Sequence, residues 1–127
     1  MGVLQGIVTG SPRPIAALVA GSLPAGAITA VVSGDDVTRQ KPHPEPYLRA
    51  AAALGVRIEK CVAIEDTPTG LAAAIASGAA TVGIPIDTPL VESAGWVRFA
   101  SLTEVSPATL GTVMGRLGKG RSQQRRQ

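Results

Sequence analysis

The apolar residues of the chain come in short runs that alternate with alanine-rich stretches of helical spacing, the pattern of a parallel sheet covered by helices. A first strand is predicted from Val3 to Val8, followed by a turn at Thr9-Gly10-Ser11-Pro12 and a short helix from Pro14 to Ala20. Ile28 to Ser33 reads as a buried strand that ends in Gly34-Asp35-Asp36. The proline-rich segment KPHPEPY then leads into a helix from Glu45 to Leu54. Tyr47, Ala51 and Leu54 share one face of it, and Gly55 stops it. Cys61 to Ile64 is β-branched enough for a central strand and runs into Glu65-Asp66. Thr67 can act there as N-cap with Pro68 at the first helical position. That helix continues to Ser77 with Leu71, Ala74 and Ile75 inward, and Gly78 closes it. Ala80 to Ile84 forms another strand, Val97 to Leu102 a short last one, and little order is expected past Gly115. No internal repeat or heptad pattern is present. The fold class is α/β, a parallel sheet with helices on both faces.

Composition narrows the function classes. At 127 residues the chain holds one domain, expected over residues 1–110 with a basic, disordered tail over 111–127. Hydrophobic residues are 45% and the mean hydropathy is +0.25, which excludes a disordered charged linker. Aromatics are 2%, so the core rests on Ala, Val, Leu and Ile, and no aromatic platform for single-stranded nucleic acid can be assembled. The one cysteine, Cys61, forms neither an internal disulfide nor a cysteine-based metal cluster, and a reducing, cytoplasmic setting fits it.

The net charge of +3 is local. Five of the twelve Lys and Arg (Arg116, Lys119, Arg121, Arg125 and Arg126) lie at the C-terminal end. The remaining seven basic residues face nine acidic ones, a net of −2. A solvated tail is thus expected rather than a nucleic-acid surface. Met1 to Gly10 has no basic region ahead of its apolar stretch, so no secretion signal is read there. The uncharged run Pro14 to Gly34 is punctuated by Pro14, Gly21, Pro24 and Gly26. It parses as helix, turn and strand rather than as a membrane span.

In an open parallel sheet, ligands bind beyond the carboxyl ends of the strands. The first strand delivers Thr9 with the Gly10 and Ser11 amides, the proline-rich helix entry delivers Lys41, and the Cys61 strand delivers Glu65 and Asp66. A hydroxyl, free amides, an ammonium and two carboxylates suit phosphate and magnesium: the first three hold and neutralise phosphate oxygens, and carboxylates hold a hard cation. Each group also has a plain structural role open to it. Thr9 can cap the following helix, Lys41 can be a surface lysine, and Glu65-Asp66 can favour a helix N-terminus. His43 reads as a loop or capping residue, Asp35-Asp36 as a turn pair, and Cys61 as inert core.

The order of three segments, GIVTGSPR, VVSGDDVTRQKPHPEPYLRAAAALG and CVAIEDTPTGLAAAIASGAATVGIP, resembles the C-terminal half of a haloacid dehalogenase-like hydrolase. The phosphoglycolate phosphatase and β-phosphoglucomutase type is the nearest subgroup, and the similarity spans residues 3 to 105. The resemblance implies a Rossmann-like three-layer core. It also implies that Thr9 binds the transferring phosphoryl group, that Lys41 steadies nucleophile and phosphate, and that Asp66, with Glu65 beside it, ligates Mg²⁺. A phosphorylated small molecule is the implied substrate, hydrolysed through a phospho-aspartyl intermediate.

The first motif of that family, an Asp-x-Asp pair on the central strand, has no counterpart here, and neither does the substrate-selecting cap. Asp35 and Asp36 are adjacent and follow the wrong strand. Loss of a covalent nucleophile costs on the order of 10⁶-fold in kcat, so this chain alone is expected to be inactive. The family's sheet places the missing strand between the one ending at Thr9 and the one ending at Ile64. Either those two strands pair directly, or another polypeptide, such as a chain carrying the Asp-x-Asp strand, fills the slot, or the chain is unstable. A non-catalytic phosphate-binding or protein-interaction module, or half of a split enzyme, is the alternative.

Overall fold

Residues 3–91, 93 and 95–126 are described in the computed structural model of the chain, with side chains in the last helix as far as Leu117. In chain order the elements are β1 (Gly6–Val8), α1 (Arg13–Gly21), β2 (Ala30–Val32), α2 (Glu45–Leu54), β3 (Val62–Glu65), α3 (Pro68–Ser77), β4 (Ala80–Gly83), β5 (Val97–Arg98) and α4 (Pro107–Arg126). Every strand pairing is parallel, as the alternation of apolar runs and helices requires.

Local chemistry fixes the helix ends. Thr67 caps α3 by accepting from the Gly70 N–H at 3.1 Å, and α2 and α3 both stop at left-handed glycines, Gly55 (φ 72°) and Gly78 (φ 93°). His43 Nδ1 accepts from the Glu45 N–H at 3.0 Å, so it satisfies a donor at the start of α2. The Gly34-Asp35-Asp36 segment is a single 3-10 turn. Asp36 accepts there from the Ser33 N–H and hydroxyl, and these bonds, the backbone one first, hold its carboxyl below the usual range.

Two cores lie on opposite faces of the strands. Tyr47 of α2, Ala73 and Ala74 of α3 and Ala63 of β3 pack together with Ala79, and Val8 of β1 lies against them. Val113 of α4 packs against Ala80, Val82 and Ile84, with Val62 of β3 on the same side. α2 and α3 therefore cover one face, α4 covers β4 and β3 on the other, and α1 packs on β2. Opposite faces for α1 and α2 follow from right-handed crossovers that run in opposite directions along the sheet. β4 is buried along its whole length. Gly83 is required there because a Cβ at that position would press on the Trp96 ring.

The strands form two sheets: β1–β2 and β3–β4–β5. β1 and β3 do not pair. Thr9 N–H donates to the Val32 carbonyl and Ala80 N–H to the Cys61 carbonyl, so odd-numbered residues of β1 and β3 face their existing neighbours. Gly6, Val8, Val62 and Ile64 direct their backbone groups the other way, toward the space between the two sheets. Among the described residues only the Val8 carbonyl finds a partner there, the Lys41 ammonium at 3.1 Å.

Several expectations need adjusting. β1, β2 and β5 are shorter than the apolar runs that predicted them, because each ladder ends with its partner. Val3 and Leu4 lie exposed ahead of β1. β3 starts one residue later than predicted and takes in Glu65. Little order was expected past Gly115 and a tail from residue 111, yet α4 is helical from Pro107 to Arg126. Leu110, Val113, Met114 and Leu117, spaced at i, i+3, i+4 and i+7, pack against the sheet and carry the helix across both boundaries. Among the described residues no helix is long and apolar enough to cross a membrane. The uncharged stretch from Pro14 to Gly34 holds α1, a turn and β2.

Candidate active site

Three loops meet beyond the carboxyl ends of β1, β2 and β3. The loops after β1 and β2 are stitched together. Gly34 N–H donates to the Ser11 carbonyl at 2.8 Å, Gln40 donates to the Gly34 carbonyl at 2.7 Å, and a Cβ on Gly34 would overlap the Gly10 carbonyl. Only glycine permits that approach. Thr9 is thereby held at the tip of β1, its own N–H donating to Val32 at 2.9 Å. The Thr9 hydroxyl accepts from the Ser11 N–H at 3.1 Å. Of the two amides expected to face a ligand, that of Ser11 is therefore engaged within its own turn.

Lys41 lies on the loop before α2, next to a cis bond to Pro42. Its ammonium donates to the Val8 carbonyl at 3.1 Å and to Glu65 Oε2 at 2.7 Å, and it sits 5.2 Å from the centroid of the Tyr47 ring. The side chain is 18% exposed and that of Glu65 is 7%. This is a placed lysine, not a solvated one, and it ties the ends of β1 and β3 together.

Glu65 turns into the protein. Its Oε2 accepts from Lys41 and from the Tyr47 hydroxyl in a short hydrogen bond. A Cβ on Gly70 would overlap its carboxylate, so a larger residue there would push the Glu65 side chain from this position. Burial, and then the negative charge of Glu65, push the Tyr47 phenol far above its ordinary range. A raised phenol pKa contributes stability that is complete below the ordinary value and falls progressively as pH rises from there toward the folded one. The chain's single tyrosine is therefore expected to show no tyrosinate absorbance as the folded protein passes pH of about 10. The signal should appear only together with unfolding, and a step near that pH in folded protein would contradict the Tyr47–Glu65 contact.

Asp66, the residue after β3, is exposed. With Glu65 committed to Tyr47 and Lys41, Asp66 is the carboxylate left open to solvent at this edge. No group of three or more His, Cys, Asp or Glu placed to hold a metal occurs among the described residues. The donor set still suits Mg²⁺, which takes one or two carboxylates and fills its shell with phosphate oxygens and water. Asp35 and Asp36 stand apart: Asp35 accepts from the Arg13 N–H at 2.7 Å, and Asp36 pairs with the Arg13 guanidinium in a short contact. Burial pushes the Cys61 thiol up, with Glu59 adding to it, so it is a poor nucleophile. His43 caps α2, and its Nε2 lies 3.1 Å from the Arg39 guanidinium.

Sequence reasoning named Thr9, Lys41, Glu65 and Asp66, and the structure brings Lys41 and Glu65 into contact between the ends of β1 and β3. It missed Tyr47, taken only as a buried helix position. A buried phenol must find a partner for its hydroxyl, and Tyr47 lies six residues past Lys41, but neither fact names Glu65.

The chain has relatives among known proteins. A profile of the haloacid dehalogenase-like hydrolases matches residues 1–78. The phosphoglycolate phosphatase of Salmonella typhimurium is 39% identical over 84 residues, 65% of this chain and 33% of its own length. Hexitol phosphatase A of Escherichia coli is 37% identical over 93 residues, 69% of this chain and 42% of its own. Among solved structures, CbbY from Rhodobacter sphaeroides in complex with phosphate superposes over 87% of this chain and 52% of its own, at a TM-score of 0.75 and 32% identity. The chain thus spans a third to a half of the length of these relatives.

Proposed function

Because the chain belongs to the haloacid dehalogenase-like hydrolases, we propose that it is the phosphate-holding half of an enzyme acting on a phosphorylated small molecule. The observation that carries this is the Lys41 ammonium, fixed between the Val8 carbonyl and Glu65 at the ends of β1 and β3. A lysine ammonium has three N–H donors. Two hold its position, and the third is left for a phosphate oxygen. The Thr9 hydroxyl and the Gly10 amide supply further donors at the tip of β1. Asp66 would hold Mg²⁺, which supplies charge neutralisation on the phosphoryl oxygens. Glu65 acts indirectly: with Tyr47 it fixes where the Lys41 charge stands.

Chemistry needs a second carboxylate free to attack, beside the Asp66 that would hold Mg²⁺. Asp35 and Asp36 are bound to Arg13 and lie beyond β2, and Glu65 is committed to Tyr47 and Lys41. In the complete enzyme an aspartate from outside this chain attacks phosphorus. The ester P–O bond breaks and the leaving alkoxide takes a proton from solvent water, a proton that the attacking water of the second step gives back. Water then attacks the phospho-aspartate and releases phosphate, restoring the carboxylate. The half-site alone binds phosphate without turning it over. A reducing, cytoplasmic setting suits the lone Cys61 thiol.

The test is a titration of the whole chain with inorganic phosphate, with and without Mg²⁺, followed by ³¹P NMR. Binding near a Kd of about 1 mM, the strength of a few polar contacts, is expected. Lys41→Ala should weaken it at least about tenfold, a loss of about 1.4 kcal/mol, and Asp66→Asn should remove the gain from Mg²⁺. Binding unchanged by both substitutions would sink the reading.

A further inference from the structure

The two carboxylates at the end of β3 live in different surroundings. Glu65 Oε2 accepts from the Lys41 ammonium at 2.7 Å and from the Tyr47 hydroxyl in a short hydrogen bond. Those two donors fill the two lone pairs of that oxygen. Oε1 is packed against Gly70, so closely that a Cβ there would overlap it. The side chain, 7% exposed, is thus clamped between the ring of Tyr47 on α2 and the first turn of α3. Asp66 is exposed, and its charge still reaches the Tyr47 phenol, adding to the upward push on its pKa. The phenol has one proton to donate, and Glu65 receives it. A cation brought to Asp66 therefore finds the neighbouring carboxylate turned to other partners.

We propose that Tyr47 is a positioning residue that keeps Glu65 off the metal, so that a divalent cation at this edge has Asp66 as its one carboxylate from this chain and binds well only together with phosphate. This rests on the reading of Asp66 and Lys41 as the groups that hold Mg²⁺ and phosphate. Mg²⁺ keeps most of its water when a single carboxylate meets it, and phosphate oxygens complete its shell. A second carboxylate would tighten the metal in the absence of phosphate. It would also strip Lys41, 18% exposed, of its counter-ion and leave an ammonium facing a dication. The Tyr47 hydrogen bond biases Glu65 against that arrangement and toward Lys41, whose charge then stays aimed at phosphate. Metal and phosphate become coupled, and each raises the affinity of the other by the same factor.

The experiment titrates the full-length chain with Mn²⁺, which takes the same oxygen ligands as Mg²⁺. The free ion is read by EPR against a protein-free titration, with and without inorganic phosphate. Tyr47→Phe keeps the buried ring and removes the donor. Without phosphate, it should tighten Mn²⁺ binding by at least about tenfold, the scale on which added ligand charge tunes such sites. The same substitution made in a Glu65→Gln background should give no gain. Unchanged or weaker binding in Tyr47→Phe would overturn the proposal, and so would a gain that persists without Glu65. A merely structural role for Tyr47 produces no tightening. If Tyr47→Phe does not fold, the unsubstituted chain decides. Saturating phosphate should tighten its Mn²⁺ binding at least about tenfold, and Mn²⁺ held equally well without phosphate overturns the proposal. Failure here leaves the phosphate-holding role standing, since that is read from Lys41→Ala and Asp66→Asn.

Discussion

Replacing Glu65 by alanine is expected to destabilise the chain by about 3 kcal/mol, lowering Tm by about 10 °C. Two losses combine. The Tyr47 hydroxyl, on a buried ring, loses its acceptor, and a stranded buried polar group costs about 1–3 kcal/mol. The Lys41 ammonium loses its carboxylate while remaining only 18% exposed, so water recovers only part of that interaction. Glu65→Gln keeps an acceptor for Tyr47 and should cost less than the alanine change. The sharper check is a double-mutant cycle with Tyr47→Phe, whose single effects should fail to add by at least about 0.5 kcal/mol, measured by chemical denaturation. Additive effects, or a loss below about 1 kcal/mol for Glu65→Ala, would mean that Glu65 is not the post on which Lys41 and Tyr47 are hung. The same substitution should loosen phosphate binding, since Lys41 would no longer be held where its third donor is useful.

How much of this was legible in the sequence varies by element. α2 was readable to the residue because its signals are local: apolar spacing within the helix, prolines at its start and Gly55 at its end. The caps at Thr67 and Gly78 are of the same kind. Strand ends were less readable, since a ladder stops where its partner stops, and the partner of β1 is the three-residue β2. The last helix was obscured by its own composition. Gly111, Gly115, Gly118 and Gly120 lower helix propensity, and they hid the stripe of Leu110, Val113, Met114 and Leu117 that packing then uses. At the site, Lys41 and Glu65 could be placed at strand ends, but the Tyr47–Glu65–Lys41 cluster is a tertiary contact between three separate segments. The engagement of the Ser11 amide by Thr9 is a local turn of the kind Ser and Thr make two residues ahead, and it was open to the sequence but not drawn from it.

The absence of a strand was legible in a different way. The three segments imply a sheet whose middle member they do not contain, and the structure leaves that place open instead of closing β1 onto β3. This joins the fold to the chemistry, because the open place ends beside Lys41, where the attacking carboxylate would have to stand. Supplying it is the change with the largest expected effect.

The direct measurement is turnover of a phosphomonoester in Mg²⁺ by two proteins. One is this chain alone. The other is a chimera in which the part of Escherichia coli hexitol phosphatase A outside its matched region is joined ahead of this chain. The chain alone should show no turnover above background, while a cooperatively folding chimera should exceed it by several orders of magnitude, up to the roughly 10⁶-fold that a covalent nucleophile contributes. Lys41→Ala in the chimera should then remove about 10²–10³-fold, the scale of one well-placed charge-stabilising donor. A chain that turns over as fast as the chimera, or a folded chimera indifferent to Lys41, would contradict the assignment of this molecule as the phosphate-holding half of a phosphoryl-transfer site.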